Sequence, residues 1–204
     1  MAKKAASDGT RGRHNRRDEV LEAAIEVFYE KGYATASIQD VADRVGVLKG
    51  SLYHYIDSKE DLLANIFEGS DVQSEAIMEA NAVLEAPAVE RLRAFVYDWS
   101  LWHLRNLERA SVYFSDWKQL DGERFIAVKR KRRHYERFLV DLLKQVKAEG
   151  DADPDLDPRY VCFLILSAIN GLPSWYRRRG TDSADHISGV YAGVVVAMVS
   201  CPTR

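Results

Sequence analysis

Apolar residues recur along this chain at helical spacing, and nowhere do they alternate as in a strand. Leu21, Ala24, Ile25 and Phe28 fall at i, i+3, i+4 and i+7, one face of a helix from about 16 to 31 that Gly32 stops. Ile38, Val41, Ala42 and Val45 repeat the spacing. Ser37 is a good N-cap there, Asp40 suits the positive helix end, and Gly46 can end the helix in a left-handed conformation. A short segment, 48–54, follows at once, with Leu52 inward and Lys49, Ser51, Tyr53 and His54 pointing elsewhere. Ser58, with Asp61 three residues on, opens a long helix from about 59 to 81. Leu92, Phe95, Val96, Trp99 and His103 share one face of a helix over 87–106, and 111–117 is a short aromatic segment. Residues 123–149 form a long helix and 159–172 one that is apolar almost all round, which predicts burial on most sides. Ile187, Val190, Tyr191, Val194, Val195 and Met198 stripe a last helix over 183–198. The pattern predicts an all-α fold.

Two short helices around a glycine turn, 37–55, form a helix-turn-helix, whose second helix enters the major groove of DNA. Lys49, Gly50, Ser51, Tyr53 and His54 are its candidate DNA contacts. Gly50 costs roughly 1 kcal/mol in a helix against Ala, and its missing side chain would let the backbone approach the groove. The net charge of -2 does not advertise a DNA binder. Residues 1–59 carry ten Lys or Arg against nine Asp or Glu, but six of the basic residues lie within 1–17 against Asp8 alone. Such an arm, expected to be disordered over 1–14, adds salt-sensitive affinity for phosphates. Taken alone it is equally well a solubilising tail.

The wording is more specific than the pattern. G-V-L-K-G-S-L-Y-H-Y-I-D-S-K-E-D-L-L, residues 46–63, resembles the N-terminal signature of the TetR (tetracycline repressor) family. The resemblance is close over about residues 16–66 and extends to the rest only in layout. It implies a three-helix DNA-binding domain over 1–57 and a helical ligand-binding and dimerisation domain over 58–204. It puts Lys49 and Ser51 near bases or phosphates, and Tyr53, His54 and Lys59 on phosphates, with Ser37 also at the DNA. One departure is Leu48, where the family usually has a Ser or Thr cap worth about 1 kcal/mol. One short recognition helix reads few base pairs, so a two-fold dimer on a pseudo-palindromic double-stranded operator is expected, its half-sites about 34–36 Å apart or a multiple of that. The dimer surface is expected from the last two helices, 159–172 and 183–198. The helix after Ser58 is the expected mechanical link.

Trp99, Trp102, His103, Tyr113, Phe114, Trp117 and Trp175 form an aromatic set that suits a cavity lined by large rings, or plain core packing. The family keeps its inducer in this second domain. Residues 171–180, G-L-P-S-W-Y-R-R-R-G, resemble a W-Y-x-x-x-G segment of TetR relatives that control lipid, fatty-acid or steroid breakdown and sense acyl-CoA thioesters. Arg177 matches the usual Arg there, and Arg178 stands where Pro often follows. Lys129, Arg133 and Arg137 share one helix face, with Arg130 and His134 beside it. A cationic face near an apolar cavity suits an acyl-CoA. The same face could be solvated and paired with Glu123, Glu136 or the acidic loop 151–158, and an uncharged hydrophobic inducer is the other candidate.

Catalysis is poorly supported. The five histidines show no metal spacing, and no P-loop, G-x-G-x-x-G or G-x-S-x-G occurs. No metal and no cofactor are expected. Cys162 and Cys201 are too few for a disulfide framework, and Cys162 reads as a core residue. Without an apolar leader or a run of 18 apolar residues, a cytoplasmic protein with no membrane partner is expected. The rivals are an all-helical enzyme or carrier for an apolar substrate, and a ligand-independent architectural DNA binder. The near-neutral body argues against the latter.

Overall fold

The computed structural model describes residues 5–200, with side chains from Arg16 onward. Among these residues the chain is helical throughout: α1 (Ala5–Lys31), α2 (Ile38–Val45), α3 (Lys49–Leu52), α4 (Lys59–Ala82), α5 (Ala88–Arg105), α6 (Leu107–Ser115), α7 (Gly122–Glu149), α8 (Pro158–Asn170), α9 (Leu172–Trp175) and α10 (Ala184–Ser200), with one 3-10 turn at Trp117–Gln119.

The N-terminal unit is built by caps. Ser37 and Asp40 form a capping box on α2, and Gly46 closes it at φ 76°, a conformation that costs a residue with a Cβ. Ser58 accepts from the Asp61 amide at 3.0 Å and opens α4. Two boundaries differ from expectation. The first helix begins at Ala5, not near 16; Gly9 and Gly12 disfavour helix there, and what supports the extension is that lengthening a nucleated helix adds one hydrogen bond per residue. Lys3, Lys4 and the side chains of Arg11 and Arg13 lie outside the described residues, as does Cys201. The recognition segment makes only one helical turn: Leu48 is its N-cap without a side-chain bond, and Tyr53 already ends it.

Helix α5 is the spine of the C-terminal unit, packed against α10, α7 and α4. Leu92, Phe95, Val96, Trp99 and His103 are buried along it, as their spacing predicts. Arg109 of α6 pairs with Glu22 of α1 at 2.5 Å, and Arg124 of α7 with Asp61 of α4 at 3.2 Å, so the two units are also joined by charge. Helix α8 is not buried on most sides: Tyr160, Phe163 and Leu164 are 65%, 53% and 59% exposed. The α10 stripe is likewise split. Ile187 and Val195 are buried, while Val190, Val194 and Met198 face outward. An apolar helix of a single chain has one face too many for its own core, and here α8 and α10 both present that face.

Candidate functional site

The N-terminal surface exposes Lys49, Gly50, Tyr53 and His54 in and just beyond α3, with Ser51 half-buried and Leu52 inside. A Cβ added at Gly50 would meet nothing within 4 Å, so nothing in the protein itself requires glycine there. Ser37 is exposed, but its hydroxyl donates to Asp40 Oδ2 at 2.7 Å and accepts from the Asp40 amide. Lys31, then Ser37, hold the Asp40 carboxyl far below the usual carboxylate range. Lys59 bends back onto the protein. Its Nζ lies 4.3 Å from the Tyr33 ring centroid and donates to the Ala34 carbonyl at 3.4 Å, and burial lowers its pKa. That is a strut between α4 and the loop before α2.

In the C-terminal unit Trp99, His103 and Tyr113 are brought together and fully buried. His103 Nδ1 donates to the Trp99 carbonyl at 2.7 Å, which leaves Nε2 as a lone pair. Burial pushes the His103 pKa down to about 4, so the ring is neutral. The ring stacks on Phe114 at 4.9 Å; the Arg132 guanidinium lies 5.3 Å from Phe114 and 4.9 Å from Trp117; Trp117 stacks on Phe125 at 5.5 Å. A column of rings with one cation inside it therefore runs from the core to the surface. The Asn170 side chain meets the His103 ring and raises its pKa against burial, whereas Trp99 Nε1, Ser100 Oγ and Arg132 Nη1 are buried in this region without a hydrogen-bond partner. Such atoms cost on the order of 1–3 kcal/mol each unless something meets them.

Phe125, the outer ring of the column, lines a groove of about 960 Å³ between α7 and α8. Ile126, Val140 and Phe163 supply its apolar wall; Lys129, Arg130, Arg133, Arg137, Lys144 and Arg159 line it as cations, and Glu136 and Asp141, the latter paired with Lys144, as carboxylates. None of Arg130, Arg133 and Arg137 pairs with a carboxylate among the described residues; Arg137 Nε only donates to the Arg133 carbonyl, at 3.3 Å. The acidic loop engages Arg159 instead, through Asp157. Trp175 stands apart, 50% exposed on α9 without a ring contact to the set. Sequence reading missed Arg132, which the run of basic residues hides, and Asn170. It also missed a junction on α4: Asp71 Oδ1 accepts from Tyr113 at 2.8 Å and from Tyr135 at 2.5 Å. Burial raises the Asp71 pKa against the pull of both tyrosines, and Tyr135 sets its ring edge against Trp99 at 5.5 Å. These partners are far apart in sequence, and no local pattern marks them.

No group of His, Cys, Asp and Glu able to hold a metal ion occurs among the described residues, and no helix there is long and apolar enough to cross a membrane. Cys162 is buried, its thiol pushed up to about 12 by burial.

The family model for the tetracyclin repressor-like C-terminal domain matches residues 85–199, and that for bacterial regulatory proteins of the tetR family matches 20–66. The chain belongs to the TetR family. Among its TetR relatives, the transcriptional repressor KstR2 of Mycobacterium tuberculosis is 28% identical over 189 residues, 92% of this chain and 94% of that protein. KstR2 of Rhodococcus jostii is 25% identical over 211 residues, 96% of this chain and 97% of that one. The solved structure of the M. tuberculosis KstR2, a ketosteroid transcriptional regulator, superposes with a TM-score of 0.86 over 90% of this chain and 94% of that one. AibR, solved in complex with isovaleryl coenzyme A and operator DNA, is 26% identical, with a TM-score of 0.79 over 92% of this chain and all of that one. The protein is thus an all-α transcriptional regulator of the TetR type, with a helix-turn-helix unit and a C-terminal helical domain.

Proposed function

We propose that this regulator is a repressor that binds a pseudo-palindromic operator as a homodimer and leaves it when an acyl-CoA binds. The division of labour falls near residue 57. Lys49, Gly50, Ser51, Tyr53 and His54 meet the DNA, while Ser37 and Lys59 hold α2 and α4 in place beside it. The outward apolar face of α8 and α10 is the dimer surface.

The observation that carries the ligand class is the α7–α8 groove. Three guanidinium groups without carboxylate partners stand beside an apolar wall, an arrangement that suits the phosphates of a nucleotide thioester. The aromatic column leads from that groove toward the buried polar atoms around His103, where the acyl end would lodge. The complex of AibR with isovaleryl coenzyme A supports the same class. An uncharged inducer would leave the three arginines without a role.

Fluorescence anisotropy on an operator duplex tests this. CoA esters of medium-chain, aromatic or steroid-derived acids are expected to release the protein, and the corresponding free acids are not. Arg133→Ala with Arg137→Ala should raise the ester concentration needed by about tenfold or more and leave DNA affinity unchanged. If no CoA ester binds by calorimetry, the reading falls and an uncharged hydrophobic inducer replaces it.

A further inference from the structure

Leu48 is 81% exposed, more than any other large apolar side chain among the described residues. It occupies the N-cap of α3 at φ -69°, ψ 142°, where a Ser or Thr would satisfy an open backbone amide; the leucine makes no such bond. The position thus gives up a helix cap and leaves a leucine in water, and no contact within the protomer offsets either cost. Beside it Lys49 is exposed, and the space over Gly50 is open, so the leading end of α3 is a shallow surface that a groove floor can reach.

In helix-turn-helix docking the N-terminal residues of the recognition helix contact base edges. The major groove offers one apolar group there, the thymine C5-methyl. Other exposed large apolar side chains lie on α4, α7, α8, α9 and α10, in the loop after α4, or, as Tyr29, on α1, whereas Tyr53, at 50%, belongs to the same DNA surface. A protein partner would therefore find no apolar patch around Leu48 beyond the DNA-reading surface itself. We propose that Leu48 is a specificity residue that packs against the methyl group of one thymine in each operator half-site. The inference rests on the DNA-reading role of α3.

The test uses the full-length protein and a duplex that it selects from a random pool. Each thymine of a half-site is replaced in turn by uracil, which removes only the methyl group. One position should weaken wild-type binding by about fourfold, the factor expected for one buried methyl. At that position Leu48→Ser should show no further loss, while its losses at other positions match wild type. Leu48→Ser restores a cap, so it should fold at least as well, which thermal unfolding checks. Uracil tolerance at every thymine, the same uracil profile in Leu48→Ser as in wild type, or a uniform loss on all sequences would each overturn the role of Leu48. Failure of the wild-type protein to select any duplex would instead overturn the DNA-reading role of α3.

Discussion

His103 is a buried imidazole held neutral by its surroundings, and its protonation has a measurable signature. Its folded pKa, about 4, lies below the ordinary value of 6.5. Above pH 6.5 neither state binds the proton, so the residue adds no pH dependence. Between about 6.5 and 4 the unfolded chain binds it and the folded chain does not, so stability falls as pH falls. The loss attributable to His103 is about 3 kcal/mol across that window. Urea denaturation at a series of pH values should show this slope in wild type and a flatter one in His103→Gln. Equal slopes would mean that the ring is solvated or protonated in the fold. Asp71, Asp98 and Asp116, whose carboxyl pKa values burial raises, titrate in both proteins and cancel in the comparison. The burial of His103 was legible from its place on the α5 stripe. The bond to the Trp99 carbonyl, which sets its tautomer, was not.

Helices α8 and α10 illustrate how far a periodicity reaches. The α10 stripe read from sequence treats Val194 and Val195 alike, but adjacent helical residues point about 100° apart. Val195 is 7% exposed in the protomer, whereas Val194 is 61% exposed. Two substitutions one position apart should therefore fail differently. Val195→Asp buries an unpaired carboxylate, costs several kcal/mol and should lower the melting temperature sharply or prevent folding. Val194→Asp should leave a folded protein, by circular dichroism, that is monomeric by light scattering and binds the operator weakly. A stable Val194→Asp dimer would move the interface off the α8–α10 face. The boundaries of these helices were readable because caps and breakers are local. Which apolar face is covered within one chain depends on what packs there.

At the scale of the whole molecule, coupling of ligand to DNA is expected to run through the Asp71 junction. Asp71 lies on α4, the helix that starts at the DNA-binding unit. Its two tyrosine partners come from α6 and α7, and Tyr135 touches Trp99 in the core. A ligand that shifts Trp99 would disturb Tyr135 and, through Asp71, the set of α4. Coupling free energies between sites are typically 1–3 kcal/mol. Tyr135→Phe removes one hydrogen bond without changing ring volume. Operator affinity without ligand should stay within about twofold of wild type, while the ratio of affinities with and without saturating ligand should shrink by about fivefold or more. An unchanged ratio would route the coupling elsewhere, the Arg109–Glu22 pair between α6 and α1 being the next element to test.

The sequence by itself determined the all-helical layout, the caps at Ser37, Gly46 and Ser58, the place of the recognition segment and the family, but not the start of α1 at Ala5 or the separate α9. Each depends on residues within a few positions of one another, where helical period and backbone chemistry act directly. It also singled out Arg133 and Arg137, because one helix face aligns residues four apart. Tertiary structure alone decided that Lys59 folds onto Tyr33, that Trp175 leaves the aromatic set, and that Arg132 is the cation between Phe114 and Trp117. It alone brought Asp71, Tyr113 and Tyr135 together across three helices. Those contacts join positions tens of residues apart, and their geometry follows from how α4, α6 and α7 pack against α5.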